Sequence, residues 1–120
     1  GEGVYKGSQY RGPWVGGHMQ TNNEAGERGV MVFADGRVYS GQWNRGFPCG
    51  RGEMVWFNKG HREADEIFAS IKDIMNLHSG NRRYAGEWKN GKRHGYGVHK
   101  LNIFHHEDGR WENDRFVGVE

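Results

Sequence analysis

One phrase recurs along this chain and restricts the folds open to it. Its fullest copy is Tyr84, Gly86, Trp88, Gly91, Gly95 and Gly97; a second copy is Tyr39, Gly41, Trp43, Gly46, Gly50 and Gly52, at identical spacing. Trp88 and Trp111 stand 23 residues apart, which sets the period. A fixed period of this length marks an array of small units that stack to bury faces none could bury alone.

Each copy has a physical reading. Tyr84, Gly86 and Trp88 alternate, so they share one face of a strand, and Gly95, Gly97 and His99 share a face of the next. Asn90-Gly91 between them is a strong hairpin signal, because both turn positions need positive φ. Each unit is therefore predicted as a β-hairpin whose glycines leave bare backbone for the rings. Composition agrees. Glycine is 21 of 120 residues, about two and a half times ordinary usage. Only 34% of residues are hydrophobic, so the 5 Trp, 5 Tyr and 6 Phe must supply most of the burial.

The same grammar finds weaker copies. Tyr10, Gly12 and Trp14 open a unit whose second strand resumes at Gly29-Val-Met-Val-Phe33, before an Asp35-Gly36 turn. Trp14 and Trp43 are 29 residues apart, six more than the period, and the surplus is assigned to a longer hairpin loop over His18–Glu27. Gly109-Arg-Trp111 repeats the core, with Glu107 in the tyrosine slot and Asp114 in a glycine slot. Gly1-Glu-Gly3 resembles the second half of a preceding unit, and a final second strand is expected to begin at Gly118. The chain thus divides into units at 10–36, 37–60, 84–106 and 107–120, within one domain.

Between Gly60 and Tyr84 the period changes. Trp43 and Trp88 are 45 residues apart. Apolar residues at 64, 67, 68, 71, 74 and 75 trace a helical stripe. Glu63, Asp65 and Glu66 suit a helix N-terminus, and Ser79-Gly80 a stop. A helix over Glu63–His78, within an inserted segment 61–83, is predicted. Its stripe, Ile67, Phe68, Ile71, Ile74 and Met75, serves either as a lid on the sheet or as a docking face for a partner.

The phrase Tyr-x-Gly-x-Trp-x-x-Gly-x-x-x-Gly-x-Gly, complete at Tyr39–Gly52 and Tyr84–Gly97, resembles the signature of the MORN family (membrane occupation and recognition nexus repeats). The resemblance implies a mainly β fold: an elongated, single-layer antiparallel sheet of stacked hairpins, here with one inserted α-helix. Tyr39, Gly41, Trp43, Gly50, Gly52, Tyr84, Gly86, Trp88, Gly95, Gly97 and Trp111 carry its repeat signature. It implies a non-enzymatic scaffold contacting other protein subunits in a large ciliary, cytoskeletal or organellar assembly. The chain would then be a fragment of, or a subunit in, that assembly.

Other classes find less support. Net charge is +2, with 17 basic and 15 acidic residues, too balanced for a nucleic-acid partner. No apolar run approaches the roughly 18 residues of a membrane span. The glycines follow the repeat rather than a phosphate loop. Cys49 is the single cysteine, which fits an intracellular, reducing compartment, and no base stands near it in sequence. Seven histidines do not adopt zinc spacing, and adjacent His105 and His106 would point to opposite strand faces. No catalytic set, metal, cofactor or small-molecule substrate is expected. Lys89, Lys92 and Arg93 cluster at one hairpin tip and could meet an acidic partner or, as the alternative function, anionic phospholipid. A third reading makes the chain the regulatory repeat region of a longer enzyme.

Overall fold

The computed structural model describes residues 2–5, 8–56, 68, 82–102 and 104–119. In chain order the strands are β1 (Glu2–Tyr5), β2 (Ser8–Arg11), β3 (Trp14–Val15), β4 (His18–Met19), β5 (Gly29–Val32), β6 (Arg37–Asn44), β7 (Phe47–Trp56), β8 (Arg82–Lys89), β9 (Lys92–Lys100), β10 (His106–Glu112) and β11 (Arg115–Gly118). Nine of them form one sheet in the order β1-β2-β5-β6-β7-β8-β9-β10-β11, each antiparallel to its neighbour. Eight inter-strand steps of about 4.8 Å amount to about 38 Å. That matches the longest dimension of the molecule, 38 Å.

Turn chemistry sets the hairpins. Arg45-Gly46, Asn90-Gly91 and Asn113-Asp114 all have positive φ, the geometry that reverses a twisted strand pair in two residues. Because the Asn113-Asp114 turn reverses directly, the last second strand begins at Arg115, three residues before Gly118. β3 and β4 form the matching tip of the first unit, turning at Gly16-Gly17. The six-residue surplus therefore does not lengthen a hairpin tip. It follows the turn, and Thr21 anchors it: Trp43 N donates to Thr21 Oγ1 at 2.9 Å, and Thr21 N to the Trp43 carbonyl at 3.2 Å.

Register aligns like residues across the sheet. Gly29, Gly41, Gly52, Gly86, Gly97 and Gly109 form one continuous row. Beside it runs Tyr10, Met31, Tyr39, Met54, Tyr84, His99 and Glu107. Both rows face the core side. The other face carries Val32, Val38 and Val55, all buried, in one half of the sheet. Of the predicted inserted helix, Phe68 is described. It is helical and half-buried, with the Arg11 guanidinium 4.2 Å above its ring. Ile67, Ile71, Ile74 and Met75 lie outside the described residues.

Candidate interaction surface

The repeated residues build one site per unit. Each signature tyrosine donates its hydroxyl to the carbonyl three residues on: Tyr10 to Pro13 at 3.1 Å, Tyr39 to Gln42 at 2.9 Å, Tyr84 to Glu87 at 3.0 Å. Each signature indole reaches back a unit to a glycine carbonyl: Trp43 to Gly29 at 2.9 Å, Trp88 to Gly52 at 3.0 Å, Trp111 to Gly97 at 3.3 Å. Tyr10, Trp43, Tyr39, Trp88, Tyr84 and Trp111 then pack edge to face in unbroken succession, centroids 5.1–5.3 Å apart. That geometry contributes about 0.5–1.5 kcal/mol per pair beyond area burial. Burial disfavours phenolate and pushes Tyr10 and Tyr84 up to about 12, and Tyr39 upward as well.

Close approach makes the glycines obligatory. A Cβ on Gly52 would land on the Tyr39 hydroxyl, and one on Gly97 on that of Tyr84. Gly50 and Gly95 answer to a different neighbour. The pairing bulges between Gly41 and Trp43, and between Gly86 and Trp88. At the bulges, Gln42 Oε1 accepts from the Arg51 amide at 2.8 Å and Glu87 Oε1 from the Tyr96 amide at 2.6 Å. Those same oxygens fill the space over Gly50 (φ +97) and Gly95 (φ +84). Sequence reasoning missed this pair of acceptors. The signal was present, since both full copies place a Gln or Glu between Gly and Trp.

Residues 39–61 and 84–101 match the sequence profile of the MORN repeat. The chain carries MORN repeats. Alsin of Rattus norvegicus is 32% identical over 94 residues, 78% of this chain and 4% of Alsin. Alsin of Homo sapiens and of Mus musculus are each 31% identical over the same length and shares. The chain thus spans 4% of the length of these relatives. MORN repeats are generally non-enzymatic and typically mediate protein or lipid interactions.

Toward the end of the array two polar residues enter the ring row. His99 stands where β5 and β7 carry Met31 and Met54, and Glu107 stands in the tyrosine row. His99 is 3% exposed. Arg82 Nε donates to its Nε2 at 2.7 Å, and its Nδ1 lies 2.9 Å from Glu107 Oε1. A guanidinium only donates, so Nε2 is the acceptor and Nδ1 carries the proton: the neutral imidazole is held. Burial, then the Arg82 and Arg93 charges, lower its pKa against the opposing pull of Glu107. Sequence reading places His99 on one strand face with Gly95 and Gly97; it is buried because its register puts it opposite Tyr84.

The tip residues separate. Lys89 and Lys92 face each other across the turn, both exposed. The Arg93 side chain is 13% exposed. It lies 4.5 Å over Trp111 and bonds to Asp114, its Nε to Oδ1 at 3.2 Å and its Nη2 to the carbonyl at 2.9 Å. Phe47 is an exposed aromatic at a neighbouring tip, its ring 3.6 Å from where a Gly91 Cβ would stand.

The other face of β8–β10 is open. Tyr96 is 57% exposed and Val98 is 36% exposed, on consecutive outward positions of β9. Ala85 and Asp108 flank Val98, and Arg110 lies opposite Tyr96 with its guanidinium 5.7 Å over the ring. An apolar and aromatic centre with a charged rim is the usual anatomy of a protein contact.

Proposed function

We propose that this chain is a non-enzymatic scaffold, acting inside the cell as a protein-interaction module of a larger ciliary, cytoskeletal or organellar assembly. One observation carries the reading. Tyr10, Tyr39, Trp43, Tyr84, Trp88 and Trp111 are engaged within the array, from 0% exposed at Tyr39 and Tyr84 to 5% at Trp88, whereas Tyr96 and Val98 stand open on the opposite sheet face. A ladder of this kind stiffens a platform, and the open face is what it presents. Recognition then belongs to the variable outward positions, and the repeat supplies rigidity.

The test is in-cell photo-crosslinking of the protein from position 96, with mass spectrometry of the adducts. Protein adducts at 96, and none from the buried position 84, are expected. Absence of protein adducts at 96 overturns the reading.

A second reading, an anionic phospholipid surface, has its own observation. Exposed Phe47 shares the tip region with Arg45, Lys89 and Lys92, an aromatic residue among cations. Flotation with phosphatidylserine vesicles at low salt, compared with Lys89→Ala/Lys92→Ala, separates the two. Salt-sensitive binding lost in the double variant supports the membrane reading, and no binding at low salt removes it.

A further inference from the structure

We propose that the open face of β8–β10 is a docking site for an acidic segment of a partner protein that also carries apolar anchors; this rests on the protein-interaction reading above. Two hollows flank the Tyr96–Val98 ridge. One, of about 280 Å³, is lined by Arg28, Arg51, Glu53 and Ala85. The other, of about 610 Å³, is lined by His94, Arg110, Glu112, Val117 and Val119 among others.

Charge identifies the occupant. Three acids of this face are engaged within the molecule: Glu53 with Arg83 at 2.9 Å, Glu87 with the Tyr96 amide at 2.6 Å, and Asp108 with His106 at 2.8 Å. Arg28, which also donates to the Ser40 carbonyl at 2.8 Å, Arg51, Lys100 and Arg110 bring cationic groups to this face, and Glu112 lines the larger hollow beside Arg110. His94 lines the larger hollow, and its Nδ1 is buried with no hydrogen-bond partner among the described residues. A carboxylate entering there would meet Arg110, which lines the same hollow. Val117 is 61% exposed and Val119 is 81% exposed, and they supply the apolar wall beside it. Tyr96 offers a large amphipathic surface at the centre, the residue type that anchors protein contacts.

A random peptide library displayed on phage, panned against the protein, tests this. Enriched peptides are expected to be net acidic with at least one Phe, Leu or Trp. Their affinity should fall about tenfold or more for Arg51→Glu/Lys100→Glu, since two reversed rim charges amount to about 1.4 kcal/mol. Both side chains are on exposed positions, so the variant should stay folded, with a modest drop in melting temperature because a glutamate at position 51 would stand opposite Glu87. Enrichment of neutral or basic peptides, undiminished binding to the charge-reversed protein, or no enrichment at all overturns the proposal. Adducts formed at position 96 in cells alongside such a result would leave the protein-interaction reading standing and remove the acidic partner alone.

Discussion

Trp88 and Gly52 are joined across a unit boundary: the indole Nε1 donates to the glycine carbonyl at 3.0 Å while its ring fits between Tyr39 and Tyr84. One side chain thus ties two hairpins that are not local in sequence. Trp88→Ala should destabilise the protein by about 3–5 kcal/mol, the range for a large ring lost from a core. Trp88→Phe should cost less, because the ring contact persists and the Gly52 carbonyl alone loses its partner, about 1–3 kcal/mol. Urea unfolding of both variants measures this. A loss below about 0.5 kcal/mol for the alanine variant, as at an exposed site, would contradict the ladder.

Gly97 and Tyr84 make the complementary case. Gly97→Ala places a methyl against the tyrosine hydroxyl and ring carbons, so a loss of about 1–3 kcal/mol is expected from overpacking. Tyr84→Phe removes the atom nearest that methyl. In the double variant the two losses should sum to more than the measured total, and strict additivity in a double-mutant cycle would show the two residues are not in contact.

The bulge acceptors predict a local effect. Glu87→Ala leaves the Tyr96 amide without its 2.6 Å partner. Stability should fall by about 0.5–1.5 kcal/mol, and the Tyr96 amide should exchange faster than its neighbours on β9. Unchanged exchange at Tyr96 would mean the carboxylate does not bind there.

His99 makes stability depend on pH. Its pKa is lowered in the folded protein, whereas unfolded histidine titrates near 6.5. Below that pH the unfolded chain binds more protons than the native one, so stability falls as the medium acidifies. The His99 contribution is complete above about pH 6.5 and declines as pH drops toward the lowered native value. Met31 and Met54 show that the row accepts methionine, so His99→Met should flatten this part of the profile between about pH 7.5 and 5.5. Parallel profiles for the two proteins in urea titrations would exclude His99 as the source.

The hairpins and their stacking are legible in the sequence. Tyr-x-Gly-x-Trp specifies a strand face, and Asn90-Gly91 a turn, within a stretch short enough for local sterics to decide. The turn at Asn113-Asp114, where no glycine stands, carries no such signal, and the final strand begins three residues before the expected Gly118. The first unit was harder. Its six extra residues follow the Gly16-Gly17 turn, and the Thr21 anchor on Trp43 spans 22 positions that no local pattern connects. Gln42 and Glu87 were visible as residues but not as acceptors, because a bulge exists only between two paired strands.

What the sequence determined by itself is the repeating unit: ring, glycine, ring on one face, closed by a turn with positive φ. These follow from side-chain alternation and backbone sterics, which act over a few residues. The tertiary structure alone decided which carbonyl each indole meets, that His99 is held neutral between Arg82 and Glu107, and that Val38 is buried while Val98 is exposed on the same sheet face. Those outcomes depend on register and cover between strands, where burial and partner distance set the energy.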